Sequence, residues 1–257
     1  MNASKILVTG GTGSLGSVVV ERLRTVGCNL HTLSRSGRPG TVQGDLLTGV
    51  GLEQAVKGID VIVHCASSPS NPRQVDVSGT KRLLQAAERS GVSHIVFVSI
   101  VGVDRNPFYP YYAMKLEAEQ MIEHASIPWT ILRATQFHEF VLKLIQFLDR
   151  FPITIMPKGF LLQPIAAREV AERLVELAVS APKGRVPDVG GPEVLTAAEL
   201  ARAYFKATGQ RRRIVEVPIP GKIAQAFRKG AQLCPDQNYG KITWEEFLSQ
   251  TLQLEKN

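Results

Sequence analysis

Short apolar runs alternate with amphipathic stretches through the first half of the chain. Ile6, Leu7 and Val8 predict a strand, and Leu15 to Val26 a helix with Val18, Val19, Leu23 and Val26 on one face. Further strands are predicted at Leu30 to Leu33, Val61 to Val63, Ile95 to Val98 and Trp129 to Leu132, with helices around Gly79 to Arg89 and Tyr111 to His124. The strands are apolar almost throughout instead of alternating, which suits a parallel sheet covered on both faces. Strand–helix alternation with short connections predicts an α/β fold built on a doubly wound parallel sheet.

The rhythm changes after Leu132. Helices are predicted at Phe140 to Leu148 and Arg168 to Val179, the latter with Val170, Leu174, Leu177 and Ala178 inward. Val186 to Val189 reads as a strand entering the turn Gly190-Gly191-Pro192, and Thr196 followed by Glu199 has the pattern of a capping box. A strand-like apolar run follows Arg211-Arg212-Arg213. No repeat or low-complexity linker divides the chain. The expected organisation is a core over residues 1–135, with a small C-terminal lobe over 136–257 packed on it and lending the sheet a strand near 186–189.

Composition narrows the function. With 257 residues, 44% hydrophobic and 21% charged, the chain has the make-up of a globular protein with a large core. No apolar run is long enough to span a membrane, and Ile6-Leu7-Val8 is too short for a signal peptide, so a cytoplasmic protein without a membrane partner is expected. Cys28, Cys65 and Cys234 lack metal-ligand spacing, as do His31, His64, His94, His124 and His138; reduced, mostly buried thiols and no metal centre are expected. The net charge of +7 raises the question of nucleic acid. The basic run Arg211 to Arg213 has no interleaved aromatics for base stacking, so solvated arginines are the reading and no nucleic-acid partner is expected.

The chemistry starts at Thr9-Gly10-Gly11-Thr12-Gly13-Ser14-Leu15-Gly16, between the first strand and the first helix. Gly10 permits a tight turn, Gly13 lets backbone approach a pyrophosphate, and Gly16 lets the helix close on the strand. The helix start then offers N–H groups to phosphate. Where an NAD-binding chain usually carries an acid on the ribose 2′-hydroxyl, this one has Leu33-Ser34-Arg35-Ser36 and then Arg38. Arg35 can grip a 2′-phosphate bidentately and Ser34 can donate to it, so NADP(H) is the expected cofactor; exposed turn arginines are the alternative. Asp45, before Leu46, can meet the adenine edge or cap its own turn.

These motifs resemble the short-chain dehydrogenase/reductase superfamily, and more closely its atypical, extended NmrA-like branch. The resemblance rests on the glycine loop, Asp60-Val61-Ile62-Val63-His64-Cys65-Ala66, Val98-Ser99-Ile100-Val101-Gly102-Val103-Asp104, Tyr111-Tyr112-Ala113-Met114-Lys115, and Ile131-Leu132-Arg133-Ala134-Thr135-Gln136-Phe137, in family order. Gly190-Gly191-Pro192-Glu193 is similar to the C-terminal lobe of that branch. The resemblance implies a Rossmann sheet, Ala66 and Ser67 lining the cofactor, and Thr135, Gln136 and Phe137 near the nicotinamide ring.

Tyr111 and Lys115 stand four residues apart, on one face of a helix. A phenol titrating near ~10 is a poor acid at neutral pH, and a neighbouring ammonium favours its ionised form. In the family this tyrosine protonates the carbonyl that receives hydride, and Lys115 could also hold the nicotinamide ribose. The family's third member is a serine past the fifth strand. Ser99 is the candidate, but Ile100 and Val101 stand just beyond it. His138 could face the cleft as a substitute donor, although a histidine at a helix start is more often structural, and Phe108, Tyr109, Phe137 and Phe140 are candidates for an aromatic wall or for lobe core. The leading expectation is an NADPH-dependent oxidoreductase for an apolar carbonyl, quinone or enone, acting as monomer or homodimer. A non-catalytic NADP(H)-binding sensor is the alternative, and a sugar-nucleotide epimerase or dehydratase is the weaker third.

Overall fold

The structure, a computed structural model, describes residues 4–151 and 153–254. Its chain divides into two compact units, residues up to 99 with 110–133 and 168–187, and residues 100–109 with 134–167 and from 188 on.

The first unit opens with β1 (Lys5–Thr9), α1 (Ser14–Thr25), β2 (Asn29–Ser34), β3 (Val42–Gln43) and α2 (Leu52–Val56). After β4 (Val61–His64), a π-helical stretch, Arg73–Gly79, runs straight into α3 (Thr80–Arg89). Then come β5 (His94–Ile100), α4 (Pro110–Glu123) and β6 (Trp129–Ala134). The second unit includes α5 (His138–Leu148), β7 (Ile153–Pro157) and β8 (Leu161–Leu162). The chain then forms α6 (Ala167–Ala178) and β9 (Gly184–Arg185), followed by β10 (Leu195–Thr196), α7 (Ala197–Ala207), β11 (Arg213–Val217), α8 (Lys222–Arg228) and α9 (Trp244–Leu254).

The parallel sheet expected from the apolar strands is present, seven strands in the order β3-β2-β1-β4-β5-β6-β9. All four residues of β4 and six of the seven of β5 are buried, because helices cover both faces. Leu7, Ile62, Leu83, Ile95 and Ile131 are sealed from solvent in one cluster. The strand order reverses between β1 and β4, the point at which doubly wound sheets bind ligands beyond their carboxyl ends.

Two details differ from the periodicity. In α1 the inward residues are Leu15, Gly16, Val19, Val20 and Leu23, while Val18 is half-buried and Val26 is exposed. The helix stops at Thr25, so Val26 leaves its face. The added sheet strand is Gly184–Arg185, earlier than the Val186 to Val189 run, and Val189 makes a single bridge to Ala134. An ion cluster fixes that earlier strand. Glu119 of α4, fully buried, accepts from Arg133 Nε and Nη2 of β6 at 2.9 and 2.7 Å, and pairs with Arg185 of β9 at 3.1 Å.

The second unit holds two small sheets, β7 parallel to β11 and β8 antiparallel to β10. Its core joins Val141, Leu142 and Ile145 of α5 to Tyr204, Phe205 and Trp244. The capping box at Thr196 and Glu199 forms as the sequence implies, and Thr243 with Glu246 makes an equivalent pair at the start of α9.

Candidate active site

Steric crowding shapes the turn after β1. Gly10 has φ +68°, and a Cβ there would come within 2.6 Å of Ala66 N in the turn after β4. A Cβ on Gly16 would sit 2.1 Å from Gly10 O, so only glycine lets α1 begin against the turn. Gly13 is different, since its Cβ would meet nothing nearer than Gly10 O at 3.2 Å. Thr12, Gly13 and Ser14 are exposed, whereas Leu15 and Gly16 are buried. Gly13 is the N-cap of α1, with no side-chain cap bond, and the first turn carries no acid. Unlike α7, this helix start has no side-chain cap, and its positive dipole end favours an anion.

At the end of β2, Ser34 is buried with its Oγ 3.3 Å from Ser36 Oγ, and Arg35 and Arg38 are exposed. Neither guanidinium has a protein partner among the described residues. The Asp45 carboxylate accepts from Leu47 N at 2.9 Å and Thr48 Oγ1 at 3.3 Å, closing its own turn. Leu46 packs into the core, leaving its backbone as the part a ligand can use. The uncapped helix, the glycine cradle and the two partnerless arginines fit a dinucleotide phosphate and carry no feature that would repel it.

Tyr111 and Lys115 belong to a connected network that the sequence reading only half found. Tyr111 Oη lies 2.8 Å from Ser67 Oγ, and Ser67 donates to Asp76 Oδ1 at 2.5 Å. Asp76, in the π-helical stretch, is 1% exposed and also accepts from Ser68 N at 3.0 Å. Its Oδ1 is 3.6 Å from Lys115 Nζ. Lys115 itself is buried, donates to Val98 O at 3.1 Å and lies 4.2 Å from the centroid of the Phe97 ring. Burial pushes the ammonium pKa down, while Asp76 and then Glu119 push it back up. Asp76 thus joins tyrosine to lysine through Ser67. The only hint in the sequence is a carboxylate between two valines, Val75 and Val77, ahead of an apolar helix.

Beneath the network, His64 bridges Thr9 Oγ1 at 2.6 Å and Thr80 Oγ1 at 2.9 Å, and Thr80 donates to Asp76 O at 2.6 Å. Burial, then the Lys115 charge, lowers the His64 pKa from 6.5 to about 3, so the imidazole is a neutral strut between strand ends and α3.

Ser99 is 3% exposed and its Oγ has no hydrogen-bond partner among the described residues. Thr135, Gln136 and Phe137 lie in the second unit. Thr135 Oγ1 donates to Gln163 O at 2.5 Å, Gln136 Oε1 accepts from Gln163 N at 3.3 Å, and Phe137 caps α5. His138 is a core residue, the structural one of its two readings. It is 1% exposed, stacks on Trp244 and Phe247, and bonds through Nε2 to Ile242 O at 3.1 Å; burial lowers its pKa to about 4. The aromatic wall disperses as well. Tyr109 packs edge-on against Phe227, while Phe108 and Phe140 are exposed. Cys234 is buried, but Cys28 and Cys65 are only partly so; all three are free.

A doubly wound parallel sheet with an open helix start at its switch point defines a Rossmann-type dinucleotide-binding protein. The chain belongs to the NAD(P)H-binding family, whose model matches residues 10–140, more than half of its length. It is 26% identical over 230 residues to photosystem II assembly factor Ycf39 of Trieres chinensis, covering 83% of this chain and 72% of that one. It is 27% identical over 251 residues to (4-alkanoyl-5-oxo-2,5-dihydrofuran-3-yl)methyl phosphate reductase of Streptomyces griseus, covering 88% and 86%. Its fold matches Escherichia coli NADPH-dependent quinone oxidoreductase QOR2 complexed with NADPH, with a TM-score of 0.80, 18% identity, and coverage of 96% and 99%.

Proposed function

We propose that this chain is an NADPH-dependent reductase of an apolar carbonyl, quinone or enone. The observation that carries the reading is the chain Tyr111–Ser67–Asp76–Lys115, which connects an exposed serine to a buried charge pair. Similarity to a reductase of an oxo-dihydrofuran phosphate and the fold of a quinone oxidoreductase support that class of acceptor. Gly10, Thr12, Gly13, Ser14, Leu15 and Gly16 would hold the pyrophosphate, and Ser34, Arg35 and Arg38 the 2′-phosphate. Ala66 and Ser67 would line the ribose side, and Lys115, Thr135, Gln136 and Phe137 the nicotinamide. Asp45 and Leu46 would border the adenine with backbone only. NADPH, when bound, supplies hydride.

The residues supply the proton. Tyr111 Oη gives its proton to the substrate oxygen. The phenolate regains its proton from solvent water once product leaves; Ser67 Oγ, oriented by Asp76, holds the Tyr111 oxygen in place meanwhile. Lys115 compensates the charge that appears on Tyr111, and Asp76 is the positioning residue holding both partners in place. Ser99, buried and unpartnered, is at most an additional polarising donor.

The second reading, a non-catalytic NADP(H) sensor, is favoured by one observation, the burial of Ser99 Oγ with Ile100 and Val101 following it. Similarity to an assembly factor supports it too. Steady-state assays over a panel of ketones, quinones and enones separate the two. The expected result is NADPH oxidation, with NADH at least about tenfold poorer, equivalent to ~1.4 kcal/mol. Tyr111→Phe should lower kcat by at least about a hundredfold while NADPH still binds. Wild-type protein that binds NADPH but oxidises none of it would favour the sensor.

A further inference from the structure

Helix α5 carries large apolar side chains on its solvent side as well as its buried one, which a surface helix ordinarily does not. His138, Val141, Leu142 and Ile145 turn inward. Opposite them, Phe140, Leu144, Phe147 and Phe151 repeat at helical spacing, each about half exposed. The Phe147 and Phe151 rings meet edge-on at 6.2 Å, so the stripe persists past the helix end. It runs on into β7, where exposed Ile153 and Ile155 alternate with buried Thr154 and Met156. Parallel register sets Arg213, Val215 and Val217 of β11 beside Ile153, Ile155 and Pro157, hence on the same outer face. Ile214 takes the inner face and packs on the core.

The charge along this surface is predominantly positive. Arg150 lies 5.8 Å from the Phe147 ring centroid, Arg213 starts the outer face of the sheet, and Lys158 follows its far end. Next to Arg213 a hollow of about 560 Å³ is lined by Arg202, Lys206, Arg211 and Arg212, backed by Phe205 and Ile214. The carboxylates of these elements are engaged. Glu139 accepts from Ala167 N, Asp149 from Arg212 and Gln210, and Glu216 from Arg202. An exposed apolar face of this kind marks a docking site; with Arg202 and Arg212 held by Glu216 and Asp149, Arg150, Lys158, Arg211 and Arg213 leave a net cationic border that selects what docks. A second copy would bring like charges together.

We propose that this face binds the surface of an anionic lipid bilayer, its phenylalanines and isoleucines entering the headgroup boundary while the arginines reach lipid phosphates. The absence of any apolar span concerns crossing, not lying on, a membrane. Among the described residues no helix is long and apolar enough to cross. Arg211 to Arg213, unexplained by dinucleotide binding, acquire a role.

The test is co-sedimentation with phosphatidylcholine vesicles carrying about 30% phosphatidylserine, against pure phosphatidylcholine. Binding to the mixed vesicles alone is expected, weakening as salt rises above about 0.1 M. Phe147→Ser with Phe151→Ser, and separately Arg211→Gln with Arg213→Gln, should each lower partitioning at least about tenfold while NADPH binding and the melting temperature are retained. If the phenylalanine pair unfolds the protein, the arginine pair and Ile155→Ser, on the exposed strand face, decide. Three results overturn the proposal: no binding to mixed vesicles, binding indifferent to the apolar substitutions, and self-association abolished by them, which would seat a second copy there.

Discussion

Gly13 and Gly16 look interchangeable in the sequence and are not. Adding a methyl to Gly16 drives it against Gly10 O at 2.1 Å, a backbone atom that cannot step aside. Gly13, with φ −83°, has ordinary backbone and open space beyond Gly10 O. Gly16→Ala should therefore lower the melting temperature and abolish cofactor binding together. Gly13→Ala should fold with stability within about 1 kcal/mol of wild type, yet bind NADPH at least about tenfold more weakly, because its methyl faces the phosphate side. Thermal melts and titration calorimetry on both variants separate the roles; an undiminished affinity in Gly13→Ala would count against the cradle. The loop was legible because each glycine answers a local steric demand. Asp76 was not, since its partners Ser67 and Lys115 are distant in sequence and only the π-helical stretch brings the carboxylate to both.

Elements were legible where periodicity ran long. The strands β1, β2, β4, β5 and β6 and the helices α3, α4 and α6 begin and end within a few residues of their hydrophobic patterns, whereas β3, β7, β8 and β10 are too short or too exposed to announce themselves. What binds elements together is mostly apolar contact, but buried ion pairs contribute, and Glu119 makes the most connected of them. Its buried carboxylate serves Arg133 and Arg185 from two different strands. Removing a partner from a buried pair leaves a charge uncompensated, so Glu119→Ala should cost about 3–5 kcal/mol in urea unfolding. The exposed Arg22–Glu172 pair is the comparison, and Glu172→Ala should cost less than about 1 kcal/mol. Equal losses would mean that Glu119 acts through volume and not through charge.

For the whole molecule the buried histidines set an acid limit. In the unfolded chain His64 takes a proton near 6.5, but in the fold only near about 3. Between those values the unfolded state binds more protons, so stability is complete above about 6.5 and falls as pH drops toward 3. His138, lowered to about 4, adds to the same limb. Urea midpoints for wild type and His64→Gln at pH 7 and pH 4.5 test this. The variant starts lower, having lost its bonds to Thr9 and Thr80, but should lose less between the two pH values. An unchanged loss would place the acid limb on other groups.

The sequence by itself determined the doubly wound sheet, the glycine turn and the Tyr111–Lys115 pairing, because strand burial, steric demand at a turn and helical spacing are local properties of a few consecutive residues. It also determined which surface residues carry charge. Only the tertiary structure decided that Asp76 joins the tyrosine to the lysine, that His138 is core, and that β9 is tied to the first unit through Glu119. It alone aligned the α5 stripe with the outer face of β7 and β11. Each of these is a meeting of groups far apart along the chain, and whether such groups meet is settled by packing, burial and charge compensation acting on the folded whole.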